Sequence, residues 1–117
     1  MKYLLIIILV FVAISCRKDK VEEVVPVEEE CPEERSFSQD VLPILSTNCS
    51  TSGCHDANSQ SAGYILETYE QVDEHAVIVL AAMKHETSSL MPQGQPKLAD
   101  SLIKTFDCWI KQGKLNN

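Results

Sequence analysis

Basic residues are scarce in this chain. Lys and Arg number 10 against 17 Asp and Glu, for a formal net charge of -7. That balance excludes a nucleic-acid binder, which needs a cationic patch to neutralise phosphates. Glycine (4) and proline (5) are also few, so the chain is neither collagen-like nor a Pro/Gly-rich linker. No Gly-rich phosphate loop, no Ser/His/Asp arrangement and no internal repeat is present. A length of 117 residues leaves room for one small domain.

What apolar content there is lies unevenly. Residues 1–15 hold 13 apolar residues, and the other 102 hold 39, about 38%. That is below the usual level of a globular domain. After Lys2, an unbroken apolar run extends from Tyr3 to Ile14. As a helix it would span roughly 18 Å, short of the roughly 30 Å hydrocarbon core of a bilayer. A single cation, a short apolar stretch and then small residues read as a secretory signal over residues 1–15. The run ends in Ala13-Ile14-Ser15-Cys16, which resembles the bacterial lipobox. That resemblance implies a diacylglycerol on the Cys16 sulfur and cleavage before it. Several acyl chains on one residue make a stable anchor, each buried methylene contributing about 0.8 kcal/mol. Cys16 and the segment to residue 35 then read as a tether. Residues 17–35 carry 8 of the 17 acidic residues, and Pro26 and Pro32 oppose helix. Repulsion at this density favours an extended, solvated spacer. The folded domain is expected over 36–117.

The chemistry centres on Cys49-Ser50-Thr51-Ser52-Gly53-Cys54-His55. Two cysteines with His directly after the second form the attachment signature of c-type haem. The thiols add to the two porphyrin vinyl groups, and the His coordinates the iron from below. Here four residues separate the cysteines where two are usual. The extra pair must loop out, and Gly53 supplies the backbone freedom for it. By themselves these residues also admit a Cys49–Cys54 disulfide, or a zinc ion shared by Cys49, Cys54, His55 and a fourth ligand. A candidate for the far side of an iron is Met91, 36 residues beyond His55 in Leu90-Met91-Pro92-Gln93-Gly94. Pro92 favours an extended backbone at Met91, suited to presenting a side chain from a loop. His75 and His85 are the rival ligands, each reading as a surface histidine. Met83 reads as core.

The periodicities point to an all-α domain. Leu102, Ile103, Phe106, Trp109 and Ile110 form one apolar stripe of a last helix, started by Ala99 or Asp100 and ended by Gly113. Trp109 reads as core packed on the first helix. Phe37, Val41, Ile44 and Leu45 share one side of that first helix. Its regular part starts near Asp40 if Pro43 is to fall in the first turn. Val72 to Met83 supplies a third helix. Glu67, Glu70, Asp73 and Glu74 read as a solvated face.

Together, Phe37-Ser38-Gln39-Asp40-Val41-Leu42-Pro43-Ile44-Leu45 and Cys49 to His55 resemble the first helix and haem site of small bacterial class I-like cytochrome c domains. Leu66-Glu67-Thr68-Tyr69 resembles their mid-chain segment. Met91-Pro92-Gln93-Gly94 with Lys97-Leu98 resembles their distal-ligand loop, and Trp109-Ile110-Lys111-Gln112-Gly113 their last helix. The resemblance implies one covalent haem c, with Cys49 and Cys54 as thioether sites, His55 as proximal ligand and Met91 as distal ligand. The four-residue spacing is the departure from the usual pattern.

Two cysteines remain. Cys108 lies about 160° from the centre of the last helix's apolar stripe, which points it outward. Cys31 precedes the domain. A Cys31–Cys108 disulfide would staple the entering chain across that helix, and related domains often carry one Cys before the first helix and one near the last. Two free thiols, or pairing between molecules, are the alternatives.

The sequence therefore reads as an exported, lipid-anchored, monomeric monohaem cytochrome that exchanges single electrons with redox protein partners and is not an enzyme. Two other readings stand beside it. One is an open-site haem sensor or peroxidase-type module. The other is a haem-free, disulfide-stapled interaction lipoprotein. Intact mass of the mature protein reports acylation, haem and disulfide together. The expected result is a chain beginning at an acylated Cys16, and an unmodified Cys16 would remove the anchor from this reading.

Overall fold

The structure is a computed structural model and describes residues 30–117. The apolar N-terminal run, Cys16 and the tether up to residue 29 lie outside the described residues. The described residues form three α-helices and no strand: α1 (Leu42–Asn48), α2 (Tyr69–Met83) and α3 (Asp100–Lys111). A π-helical turn, Phe37–Val41, leads into α1, and a 3₁₀ turn, Ser61–Gly63, lies between α1 and α2. The all-α expectation holds at this level. None of these helices is long and apolar enough to cross a membrane.

Each helix start has a local cause. Ser36 accepts a hydrogen bond from the Gln39 amide, while Asp40 accepts one from the Ser36 amide. The chain then winds wide, with the Val41 amide bonded to the Ser36 carbonyl, before α1 becomes regular at Leu42. That is two residues later than expected. In an α-helix the Pro43 ring would press on the Gln39 carbonyl, and the wider turn relieves this. For α2 the start is Thr68, which shares a reciprocal capping box with Gln71, so the helix begins at Tyr69, ahead of Val72. The end of α3 is a Schellman motif. Lys114 N–H reaches the Trp109 carbonyl, Gly113 N–H reaches Ile110, and Gly113 takes φ +94°.

One apolar cluster joins the elements. Phe37, Val41, Ile44 and Leu45 meet Val72, Ala76 and Met83 of α2 and Ile103, Phe106 and Trp109 of α3. Trp109 is wholly buried, with Phe37 at 5.7 Å and Phe106 at 5.6 Å between ring centroids. Phe37, Val41, Ile44 and Leu45 are buried as expected, and of the expected α3 stripe Ile103, Phe106 and Trp109 are buried while Leu102 and Ile110 pack against the core half-buried. Helix α2 behaves differently: Val77 is 72% and Ile78 49% exposed, although the run from Ala76 to Met83 is apolar throughout. Of its acidic residues, Asp73 is not merely solvated. It pairs with Lys114 at 2.6 Å and ties α2 to the chain beyond α3.

Residues 30–35, read from sequence as the last part of the tether, are packed on the domain. Cys31 and Cys108 form a disulfide. Gln112 donates to the Cys31 and Glu33 carbonyls and accepts from the Arg35 amide. Lys111 bridges Glu30 (2.7 Å) and Asp107 (3.5 Å), and the hydrogen bond to Glu30 raises its pKa. Cys108 does lie off the apolar stripe, but it is not exposed. The stapled segment covers it, leaving it 3% accessible. The cross-link closes a span of 77 residues, so a chain-entropy argument gives it about 4 kcal/mol. Replacing both cysteines with serine is expected to lower the unfolding free energy by an amount of that order, read as a lower denaturant midpoint. An unchanged midpoint would mean that the staple adds no stability.

Candidate functional site

The site is built where α1 ends. Cys49 follows the helix directly, buried in the core. From there the chain makes a tight excursion. The Cys54 amide closes a turn onto the Thr51 carbonyl, with Gly53 at φ +85°, and the His55 amide returns to the Cys49 carbonyl at 3.0 Å. Thr51 and Ser52 are exposed, so the intervening residues do loop out, and the turn uses the conformation that only glycine adopts without strain. Asp56 steadies the next turn by accepting from the Ser59 amide, and the Ser59 side chain first, then that amide, lower its pKa.

Residues 61–66 run back along this loop. Ser61 N–H bonds the Cys54 carbonyl, Leu66 N–H bonds the His55 carbonyl, and Ser50 Oγ donates to the Leu66 carbonyl. Getting there requires positive φ at Gln60 (+45°), Ala62 (+54°) and Gly63 (+81°). The first two are non-glycine residues, for which this region is uncommon. This strained turn sets the Tyr64 carbonyl 3.3 Å from His55 Nδ1. A carbonyl oxygen can only accept, so Nδ1–H donates, and in the neutral imidazole the lone pair is then on Nε2. Metal-bound histidines are held by the same device.

On the other wall, α2 ends in a second Schellman motif. Glu86 N–H reaches the Ala81 carbonyl and His85 N–H reaches Ala82, with His85 itself at φ +61°. The loop that follows closes on α2 when the Met91 amide bonds the Ala82 carbonyl at 3.2 Å. Met91 is thereby brought to the same cleft as His55.

Two adjoining cavities make up the cleft. The larger, about 540 Å³, is lined by Cys49, Cys54, His55 and Met91 among others. The smaller, about 260 Å³, has Cys49, His55 and Met91 in common with it and a mostly apolar wall that includes Leu66, Val79 and Met83. All four sequence-predicted site residues thus meet in one place. The rival ligands do not: neither His75 nor His85 lines either cavity. His75 packs edge-on against the Tyr64 ring at 4.8 Å, and His85 Nε2 is 3.1 Å from the Met91 carbonyl. The sequence reading missed Tyr64, because the group it contributes is a backbone carbonyl, which every residue type has.

The donor set bears on the alternatives. Cys49 and Cys54 are free thiols, not a disulfide. Among the described residues, no three His, Cys, Asp or Glu side chains converge as a metal cage would require. A zinc site made of Cys49, Cys54, His55 and a further such residue is therefore absent among them. A haem iron asks for less, since the porphyrin supplies four ligands and the protein only the two axial ones. A His and a Met that line the same cavities, with two cysteines beside the His in the chain, are the residue types that demand calls for. Comparison with protein-family models, curated proteins and solved structures finds no match to this chain.

Burial, together with nearby Cys54, pushes the Cys49 thiol up from 9.0 to about 11. A raised thiol pKa favours the neutral form in the folded state. Its contribution to stability is full below about pH 9 and is lost as the pH rises towards 11. In chain prepared without haem, iodoacetamide at neutral pH is expected to modify Cys54 and to spare Cys49 until the protein is unfolded. Equal labelling of both thiols in peptide maps would show that the cleft does not protect Cys49.

Proposed function

We propose that this chain is an exported, lipid-anchored monohaem c-type cytochrome that carries single electrons and is not an enzyme. The observation that supports it best is the meeting of Cys49, Cys54, His55 and Met91 on one cleft, with His55 Nδ1 already committed to a carbonyl. Cys49 and Cys54 would hold the haem by thioether bonds. His55 would offer Nε2 and Met91 its thioether sulfur as axial ligands. Bound there, haem c supplies an iron that changes oxidation state by one electron, at a potential that Met/His ligation raises.

The residues of the chain account for the rest. Tyr64 fixes the His55 tautomer through its carbonyl. Leu66, Val79, Ala82 and Met83 keep water from one side of the cleft. Ile78 lines the same cavity yet is half exposed, so a ligand in the cleft would cover apolar surface that the protein core leaves open. With His55 and Met91 both holding the iron, no site would remain for a substrate, which is why a carrier is favoured over a peroxidase-type module or sensor. The acyl anchor at Cys16 and the acidic tether would keep the domain close to membrane-bound redox partners. The haem-free interaction module is the competing reading, and the exposed Val77, Ile78 and Leu90 are what favour it.

A pyridine haemochrome spectrum of protein matured with haem separates these readings. Covalent haem c is expected in the parent and should be lost in His55→Ala, Cys54→Ser double variants. A parent without covalent haem would leave only the interaction module. The ferric parent is also expected to show a Met-to-iron charge-transfer band at the red end of the spectrum, absent in Met91→Ala.

A further inference from the structure

His85 holds an unusual position. It sits at the left-handed residue that ends α2, with φ +61°, where glycine is the usual choice and a histidine carries strain. Its side chain does not enter the cleft and is half-buried. Instead, Nε2 lies 3.1 Å from the Met91 carbonyl. The carbonyl can only accept, so Nε2–H donates. Five residues separate the two partners, and the same Met91 donates its amide to the Ala82 carbonyl. Both polar backbone groups of Met91 are thus held by the last turn of α2 and its cap. Between these two bonds, the loop from Glu86 to Leu90 is largely exposed. Within it, Thr87 Oγ1 accepts from the Ser89 amide and donates to the Ser89 carbonyl, contacts that do not reach the helix.

We infer that His85 is a positioning residue that latches Met91 over the cleft, and that the strain at its backbone is retained because glycine could not make the latch. The inference rests on the reading of Met91 as the distal ligand. A methionine sulfur is a weak ligand and competes with small molecules for the iron. Holding its backbone from both sides lowers the entropy lost on ligation. Releasing one side should therefore favour the competitor. One net hydrogen bond is worth enough to change such a competition by about three- to tenfold.

Two variants of the haem-matured protein separate the side chain from the backbone. His85→Gly removes the donor while suiting the left-handed conformation, so the helix end is preserved. His85→Gln restores a donor nitrogen at a similar reach. Imidazole is titrated into the ferric proteins, and the Met-to-iron charge-transfer band is followed with thermal unfolding. In His85→Gly the band should weaken and imidazole should bind about three- to tenfold more tightly. Its helix content and melting temperature should not fall below those of His85→Gln. His85→Gln should keep the parental band and affinity. An intact band and parental imidazole affinity in His85→Gly would overturn the latch. Equal loss in His85→Gln would overturn it too, because hydrogen-bond donation would then not be the imidazole's role. A parent that lacks the band fails at an earlier point: the assignment of Met91 falls and the latch falls with it. The latch alone fails when the parent has the band and His85→Gly leaves it unmoved.

Discussion

Trp109 has no contact with solvent, and three other rings pack on its indole. Phe37 comes from the turn before α1, Tyr69 from the start of α2, and Phe106 from one turn earlier on α3. The indole N–H would be costly to bury without a partner, and it donates to the Leu115 carbonyl at 2.9 Å. That bond draws the chain beyond α3 back across the core. Tyr69 does the same through its hydroxyl, which donates to the Lys114 carbonyl. The tail then reaches the start of the domain, where the Asn117 carbonyl accepts from Ser36 Oγ, the Ser38 amide and Ser38 Oγ. One buried ring therefore sets how α1, α2 and α3 lie together, and the cleft is the space that this arrangement leaves between the end of α1 and the end of α2.

The cleft is costly in local terms. Gln60, Ala62 and His85 all adopt positive φ, and Cys49 buries a thiol at the cleft wall. Strain of this kind gathers where a chain must aim particular atoms, and it persists only when the surroundings hold it. Here they do. The 60–64 turn is tied to the loop of Cys49–His55 by backbone bonds, and the His85 end is tied to α2 by its Schellman pair. Outside the cleft, the disulfide and the Lys111 bridge hold the entering chain on the opposite flank of α3. The parts that stabilise and the parts that aim are thus in different places.

Much of this could be read from residue order. The stripe of α3 and its stop at Gly113 are periodic facts, and a Schellman end needs only a glycine in the right place. The π-wound entry to α1 was less accessible, because it depends on where the Pro43 ring meets a carbonyl. The exposure of Val77 and Ile78 was hidden for another reason. An apolar run without periodicity does not say which face it buries, and α2 turns part of its apolar surface towards a cleft that the other helices do not fill. Cys108 shows a similar limit: its angle on the helix was right, but burial depends on what covers the outside, and a segment from the other end of the domain covers it.

The sequence by itself determined which groups are available: two thiols beside a histidine, a methionine in a proline loop, and a pair of cysteines outside the helical pattern. Those are choices of residue type and spacing, and they survive without coordinates. Only the tertiary structure decided that His55 and Met91 line one cleft while His75 and His85 do not line it, and which ring nitrogen of His55 and of His85 meets a backbone carbonyl. The physical reason is that these outcomes depend on backbone carbonyls, those of Tyr64 and Met91. Such groups are the same in every residue, so their role comes entirely from where the fold puts them.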